Sequence, residues 1–372
     1  MQEESLRAFG SKIAALINRQ DLSREEAKDM FRQVLLNEQP DLQQGAFLAA
    51  LTAKGETAAE IAGAWEAIYE LDTAKVKPSV AQPLVDNCGT GMDSFKTFNI
   101  STAAAVVAAA GGIYLAKHGA RALTSSCGAV DILETVGVDV ECEPDIVSRS
   151  IEKAGIGIFN GMSPKVHPQA LGRILSQIRF GTTLNIAGSL ANPALPRYGV
   201  RGVYRKELVE PVARVMREIG YTKALVFHGS NGDGLGMDEI STLGETVIAE
   251  LSDNGEIKTA TVTPEDFGIK RPRAQAIGPA ADRKEEGLNF IRILGGYDRG
   301  AKHDITCLNA APIFYLMGQA KDLKEGFAQA REIIVSGRAL AKLKEGVMAQ
   351  NSDHESGLKK LERLVEEVNA SR

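Results

Sequence analysis

The chain reads as an α/β protein: a small helical domain, then a larger domain with a mostly parallel central sheet flanked by helices. Three observations predict this. From about Ser5 to Thr73, apolar residues recur at helical spacing. Beyond Pro83, short apolar runs alternate with helical stretches, the pattern of strands joined by helical crossovers. Between Asp86 and Glu134 the order is glycine loop, small-residue helix, strand, second polar glycine loop, which brings two loops to one end of a parallel sheet.

The elements follow in order. Ser23 is the N-cap of a helix with Glu25 and Glu26 in its first turn, and Met30, Phe31, Val34 and Leu35 continue its apolar spacing. Pro40-Asp41 punctuates, and Ala46 to Leu51 is helical again. Thr57 caps a further helix with a stripe of Ile61, Ala64, Trp65, Ile68 and Tyr69. Trp65 is assigned to the core or to a subunit interface rather than to ligand stacking. Lys77 to Pro83 is the hinge between the domains. Strands are expected at Pro83–Val85, Gly112–Ala116, Gly155–Phe159 and Ala224–Phe227, with a helix from Ala103 to Ala110. Pro168 to Phe180 is amphipathic and lacks strand character. The charged tail, 351–372, carries a helical stripe of Leu358, Leu361, Leu364 and Val365.

Composition excludes several classes. With 44% hydrophobic and 24% charged residues the chain has an ordinary globular balance. A net charge of −5 argues against a nucleic-acid surface. The one basic cluster, Lys270-Arg271-Pro272-Arg273, reads as a solvated loop. Cys88, Cys127, Cys142 and Cys307 lack the spacing of a zinc site or a disulfide framework, and packing is the role assigned to them over that of a thiol nucleophile. No leader peptide and no long apolar stretch are read, so a cytoplasmic location is expected, with no membrane partner.

The chemistry-bearing residues fall in three places. Gly89-Thr90-Gly91 lets backbone approach a phosphate closely and turn N–H groups toward it. Asn99, Ser101 and Thr102 lie at the start of the small-residue helix, where unpaired N–H groups attract anions and short polar side chains cap. Lys117 and His118 stand at the carboxyl end of the next strand, where ligands bind in open α/β sheets. The third place is His228 to Ser241, a glycine-rich run after a strand that ends in Asp238-Glu239. Adjacent carboxylates with a hydroxyl suit Mg²⁺, although an acidic first turn of a helix would look the same.

These segments resemble the anthranilate phosphoribosyltransferase family, or a close paralogue with an altered acceptor site. Asp86 to Thr102 follows the family's D-x-x-G-T-G-G-D-x-x-x-T-F-N-I-S-T, with Met92 in place of a glycine. Lys117 to Ser125 follows K-H-G-N-R-x-x-S-S, with Ala120 in place of asparagine. Further landmarks recur in order: Phe47 to Gly63, His167-Pro168, Gly188 to Pro193, Asp238 to Ser241, Thr263 to Gly268 and Leu308 to Ala311. The resemblance implies a nucleoside phosphorylase/phosphoribosyltransferase-like fold. It implies a helical domain of residues 1–76, joined by about 166–186, and a catalytic domain of residues 77–372. It also implies a homodimer through the helical domain. The implied reaction is displacement of pyrophosphate from phosphoribosyl pyrophosphate by a small aromatic amine, anthranilate by default, in tryptophan biosynthesis. Gly89, Thr90, Gly91, Asp93, Thr97, Asn99, Ser101, Thr102, Lys117 and Ser125 are the implied donor contacts. Ser101, Asp238 and Glu239 are the implied ligands of two Mg²⁺ ions. His118, Ala120, Arg179 and Ser189 are placed on the acceptor side. No general base is assigned, because an aryl amine can lose its proton after attack.

The departures from the family cluster on the acceptor side. Ala120 replaces the asparagine, and Ser189 replaces the proline of the family's G-P-L. Gln177 stands where an arginine meets the acceptor carboxylate, with Arg179 the nearby substitute. Met162-Ser163-Pro164 replaces Phe-Ala-Pro, and Ala129 a serine. A buried carboxylate without a cation is costly, so these changes predict that anthranilate is a poor acceptor unless Arg179 moves in. Three other readings compete. One is a paralogue acting on another aromatic or heterocyclic acceptor. Another is a nucleoside phosphorylase of the same fold, which the Asp238-Glu239 pair disfavours. The last is a non-catalytic ligand- or nucleic-acid-binding paralogue.

Overall fold

The computed structural model describes residues 2–91, 93–122 and 127–371. It opens with four helices: α1 (Gln2–Ile17), α2 (Arg24–Leu35), α3 (Asp41–Lys54) and α4 (Ala58–Leu71). Both α2 and α4 begin with reciprocal caps, Ser23 with Glu26 and Thr57 with Glu60. Glu60, fully buried, also accepts the N–H of Leu22 at 2.9 Å and pairs with Lys54 at 3.0 Å, so one carboxylate ties α4 to α3 and to the loop before α2. Their apolar stripes close on Phe9, Phe31 and Phe47, whose rings meet edge to face.

The remainder is built on a sheet. In chain order it comprises β1 (Val85–Gly89), α5 (Ile100–Ala110), β2 (Leu115–Gly119), α6 (Ala129–Thr135), α7 (Pro144–Ala154), β3 (Ile156–Asn160), α8 (Leu171–Ile178), α9 (Thr183–Leu190), β4 (Tyr198–Gly202), α10 (Val209–Glu218) and β5 (Lys223–Ser230). Then come β6 (Gly236–Met237), β7 (Thr246–Leu251), β8 (Ile257–Val262), α11 (Arg283–Leu294), α12 (Ala301–Leu316), α13 (Leu323–Val335), α14 (Arg338–Ala349) and α15 (His354–Ala370). The strand order is β3-β2-β1-β4-β5-β7-β8, with β6 beside β5. Strands β3 to β5 in that order are parallel; β6, β7 and β8 are antiparallel additions. Helix α5 is buried from Thr102 to Ala109, and its small side chains allow it to lie between the sheet and α12. The other face of the sheet carries α10, against which α4 packs.

All four expected strands start or stop elsewhere, β3 by one residue at each end. The ladder of β1 runs on through Asp86, Asn87 and Cys88 to pair Gly89 with Gly202, and that of β2 runs through Lys117 and His118 to pair Gly119 with Asn160. These residues looked like loop because they are polar. They stay in the sheet because the polarity is paired: Asp86 meets Arg201 at 2.9 Å with both side chains fully buried, and Asp86 also accepts the His118 N–H at 3.2 Å. The expected strand at Ala224–Phe227 lies within the longer β5.

The segment after β3 returns to the helical unit. The Ala74 N–H donates to the Val166 carbonyl at 2.9 Å, and the indole N–H of Trp65 donates to the Leu190 carbonyl at 2.9 Å. Trp65 is therefore core, between α4 and α9. The Asp72 carboxylate, fully buried, accepts the N–H groups of Gln169, Ala170 and Leu171, the last two at 3.1 and 2.7 Å. At the far edge, the Gln350 side-chain amide pairs with both the N–H and the carbonyl of Ile158 at 2.8 and 2.9 Å, acting as one residue of an extra strand on β3.

Candidate active site

The carboxyl ends of β1 and β2 and the residues just after β3 meet the start of α5 around one cavity of about 230 Å³. Gly89, Thr90, Gly91, Asp93, Thr97, Asn99, Ser101 and Lys117 all line it. Gly91 has φ +67°, the left-handed conformation that turns its N–H inward. Gly89 and Gly202 serve a different need. A Cβ on either would strike Asp238, which lies across the ends of β1 and β4. Lys117 is buried at the cavity floor, its ammonium donating to the Asn87 carbonyl at 2.6 Å and to Ser101 Oγ at 3.4 Å. Burial pulls its pKa down, against the opposing pull of Cys88, Asp86 and Glu239.

The acidic pair faces this cradle. Asp238 accepts the Gly91 N–H at 2.8 Å, and Glu239 accepts the Ser101 N–H at 3.1 Å in the first turn of α5. Asp93 joins them. Its carboxyl is pushed up to about 7, first by burial and then by Asp238. Burial also raises Asp238, and burial with Asp238 raises Glu239 well above the carboxylate range. Three neighbouring carboxylates, of which Asp238 raises the other two, are an oxygen-donor set suited to a hard divalent cation. Among the described residues no group of His, Cys, Asp and Glu is close enough to cage an ion alone. The set therefore fits an ion shared with ligand phosphates and water.

The opposite wall is apolar. Met162, Leu171, Leu175 and Leu184 line it with Ala120, Gly188, Ser189, Asn185 and His118. It is made where the start of α8 and the whole of α9 return beside β2. The thiols near the cavity are held protonated by burial, Cys127 at about 12 and Cys88 raised, which removes them as nucleophiles.

Comparison with known proteins separates the readings. Residues 81–340 match the α/β domain of the glycosyl transferase family, and residues 11–71 match its helical bundle domain. Anthranilate phosphoribosyltransferase from Methanococcoides burtonii is 41% identical over 336 residues, 90% of this chain and 92% of that one. The chain belongs to the anthranilate phosphoribosyltransferase family. The enzyme of that name from Persephonella marina is 38% identical over 343 residues, covering 90% of this chain and 97% of that protein. The crystal structure of the Thermus thermophilus enzyme superposes with a TM-score of 0.81 at 34% identity, covering 91% of this chain and 98% of that one. The Saccharomyces cerevisiae enzyme in complex with phosphoribosyl pyrophosphate and Mg superposes with a TM-score of 0.80 at 27% identity, covering 94% and 99%. The family membership makes this chain an enzyme of the glycosyltransferase class and carries its fold: a helical unit with an α/β domain on a mostly parallel sheet.

Several assigned residues are placed differently from expectation. Arg179 is not on the cavity. It follows the end of α8 with φ +53°, is exposed, and its guanidinium Nε donates to the Ser176 carbonyl at 3.3 Å. Gln177 is exposed as well, because α8 turns Leu171 and Leu175, four residues apart, toward the cavity. Thr102 is also outside the main cavity. One step along α5 rotates it about 100° from Ser101, into a small void beside Ala105 and Val106. Asn99 lines the cavity but does not cap α5; its amide donates to the Cys127 carbonyl at 3.1 Å and ties the two glycine loops together. Ser125 and Met92 lie outside the described residues. Sequence reasoning missed the apolar wall of Leu171, Leu175 and Leu184. Its signal was the amphipathic 168–180 stretch, whose apolar face could as well have been core.

Proposed function

We propose that the protein transfers the phosphoribosyl group of phosphoribosyl pyrophosphate to the amine of anthranilate, releasing pyrophosphate, as a step of tryptophan biosynthesis. The observation that carries this reading is one cavity with two unlike halves: a cradle of N–H groups, a lysine and carboxylates facing a small apolar compartment. In this reading the α/β part holds the donor and the helical unit, residues 1–76 with about 166–186, closes the acceptor side.

The amine nitrogen attacks the anomeric carbon as the bond to pyrophosphate breaks, and the nitrogen then loses a proton. Asp238, Glu239 and Ser101 would hold Mg²⁺, which when bound neutralises charge on the leaving group. The Gly91 and Ser101 N–H groups hold the Asp238 and Glu239 carboxylates at the cradle, and the Lys117 ammonium lines it beside Ser101, where a donor oxygen would meet it. The apolar wall excludes water from a developing oxocarbenium ion, and no side chain needs to act as a strong base. The names of the relatives favour anthranilate over the other acceptors that Ala120, Ser189 and Gln177 suggested. Loss of anthranilate fluorescence matched by pyrophosphate release, with kcat/KM of ~10⁴ M⁻¹s⁻¹ or above, is the expected result. Preference for a heterocyclic acceptor in the same assay would move the reading to a paralogue.

Two further points belong to this proposal. Exposed Ile17, Leu36 and Leu42 on the first helices support a homodimer formed through the helical unit. No described helix is long and apolar enough to cross a membrane, and four cysteines without a disulfide support a reducing, cytoplasmic setting.

A further inference from the structure

Where the cavity wall meets the helical unit, two imidazoles lie in line between two backbone carbonyls. His167 Nδ1 bonds the Asp72 carbonyl, His167 Nε2 is 3.2 Å from His118 Nε2, and His118 Nδ1 is 3.3 Å from the Ser189 carbonyl. A carbonyl only accepts, so each outer nitrogen must carry a proton. The Thr73 hydroxyl, 3.4 Å from His167 Nδ1, gives its own proton to the Ile68 carbonyl at 3.0 Å, so it too can only accept. The inner contact between the rings needs one proton more. Two neutral imidazoles supply two protons for these three positions. The hydrogen-bond chain is complete only when the pair carries a third, and with it one positive charge.

That charge has a use. On the apolar wall formed by Met162, Leu171, Leu175 and Leu184, His118 is the ionisable group that lines the cavity. The neighbouring Arg121 is held by Asp131, Glu134 and Glu141. Arg179 points elsewhere. Lys117, on the same cavity, is turned to the Asn87 carbonyl and Ser101 Oγ, so among the described residues a carboxylate entering this compartment would be desolvated without an uncommitted cation beside it.

We propose that the His118–His167 pair takes up a proton from solvent when a carboxylate-bearing aromatic acceptor enters, so that the shared imidazolium is the acceptor's countercharge. The proposal rests on the acceptor reading above. Before entry, burial works against the third proton. Burial holds His118 down to about 3 and lowers His167, and Lys117 and Arg201 oppose a charge on His118. The carboxylates facing the pair are committed: Asp86 to Arg201 and the His118 N–H, Asp72 to three N–H groups of the following turn. An incoming carboxylate supplies the missing negative charge, and the 3.3 Å bond from Nδ1 to Ser189 is long enough to be exchanged for it.

The test is the anthranilate KM under saturating donor and Mg²⁺, followed from about pH 6.5 to about 8.5, with the donor KM as internal control. Uptake of one proton makes the anthranilate KM rise about tenfold per pH unit while the donor KM follows no such slope. In His167→Gln the slope disappears and the anthranilate KM at neutral pH rises roughly 10- to 100-fold, the loss expected for a charge-assisted contact. His118→Gln gives the same loss of slope if the first variant does not fold, as judged by thermal unfolding and donor binding. A flat anthranilate KM in the wild type, with normal turnover, overturns the proposal. A slope that persists in a folded variant overturns it too, since the proton then resides elsewhere. Failure to consume anthranilate at every pH overturns the acceptor reading itself.

Discussion

At the residue scale, the site is a set of buried charges held close to where each is costly. Asp93 shows the consequence for stability. Its carboxyl has a folded-state pKa of about 7 against the ordinary 3.8, so between those values the folded state binds more protons than the unfolded one. Its contribution is therefore lost as pH rises through that window. Asp93→Asn should raise the melting temperature of the ligand-free protein at about pH 8, and the advantage should shrink as pH falls toward the carboxylate range. The difference between variant and wild type isolates this residue from the two histidines, whose shifts run the other way. A variant that is less stable than wild type at high pH would contradict the placement of Asp93. The same scale explains what sequence could show. Glycines, a lysine and paired acids in fixed order were legible, since each type is rare in that context. The orientation of Ser101 against Thr102, or of Leu175 against Gln177 and Arg179, depends on where a helix begins and was not.

At the element scale, the helices announced themselves through capping pairs and apolar stripes, as at Ser23–Glu26 and Thr57–Glu60. The strands were harder. Strand β4, Tyr-Gly-Val-Arg-Gly, hides a fully buried arginine whose partner, Asp86, is more than a hundred residues away in sequence. The β7–β8 hairpin gave no site motif to mark it, although Asp253-Asn254-Gly255 is a strong turn signal. The element that positions the acceptor wall is the turn into α8, and a single carboxylate pins it. Asp72→Ala leaves three N–H groups, two of them buried, without their acceptor and should cost about 3 kcal/mol in urea unfolding. It should also raise the anthranilate KM more than the donor KM, because the wall moves and the cradle does not. A loss below about 0.5 kcal/mol, the level of an ordinary surface change, would show that the turn is held by other contacts.

At the scale of the whole molecule, order along the chain was legible and closure was not. The helical unit, the α/β alternation and the donor loops could be read from spacing. The return of residues 166–193 to the helical unit depends on contacts such as Trp65 with Leu190 and Ala74 with Val166, which no local pattern encodes. Assembly belongs to this scale as well. Light scattering at micromolar concentration should give twice the 39.8 kDa chain mass, and Leu42→Glu, at a side chain 88% exposed, should shift it toward one. A monomeric wild type would remove the dimer. Loops from β1, β2, α5 and the 238–239 turn are proposed to form one site for a metal-bound phosphoribosyl donor. Calorimetric titration with phosphoribosyl pyrophosphate tests it most directly, in Mg²⁺ and in EDTA, for the wild type and for Asp238→Asn/Glu239→Gln. The expected result is tight binding by the wild type in Mg²⁺, marked loss in EDTA, and a loss of roughly 100-fold in a variant that keeps its fold. Equal affinity with and without metal, or undiminished binding by the double variant, would contradict it.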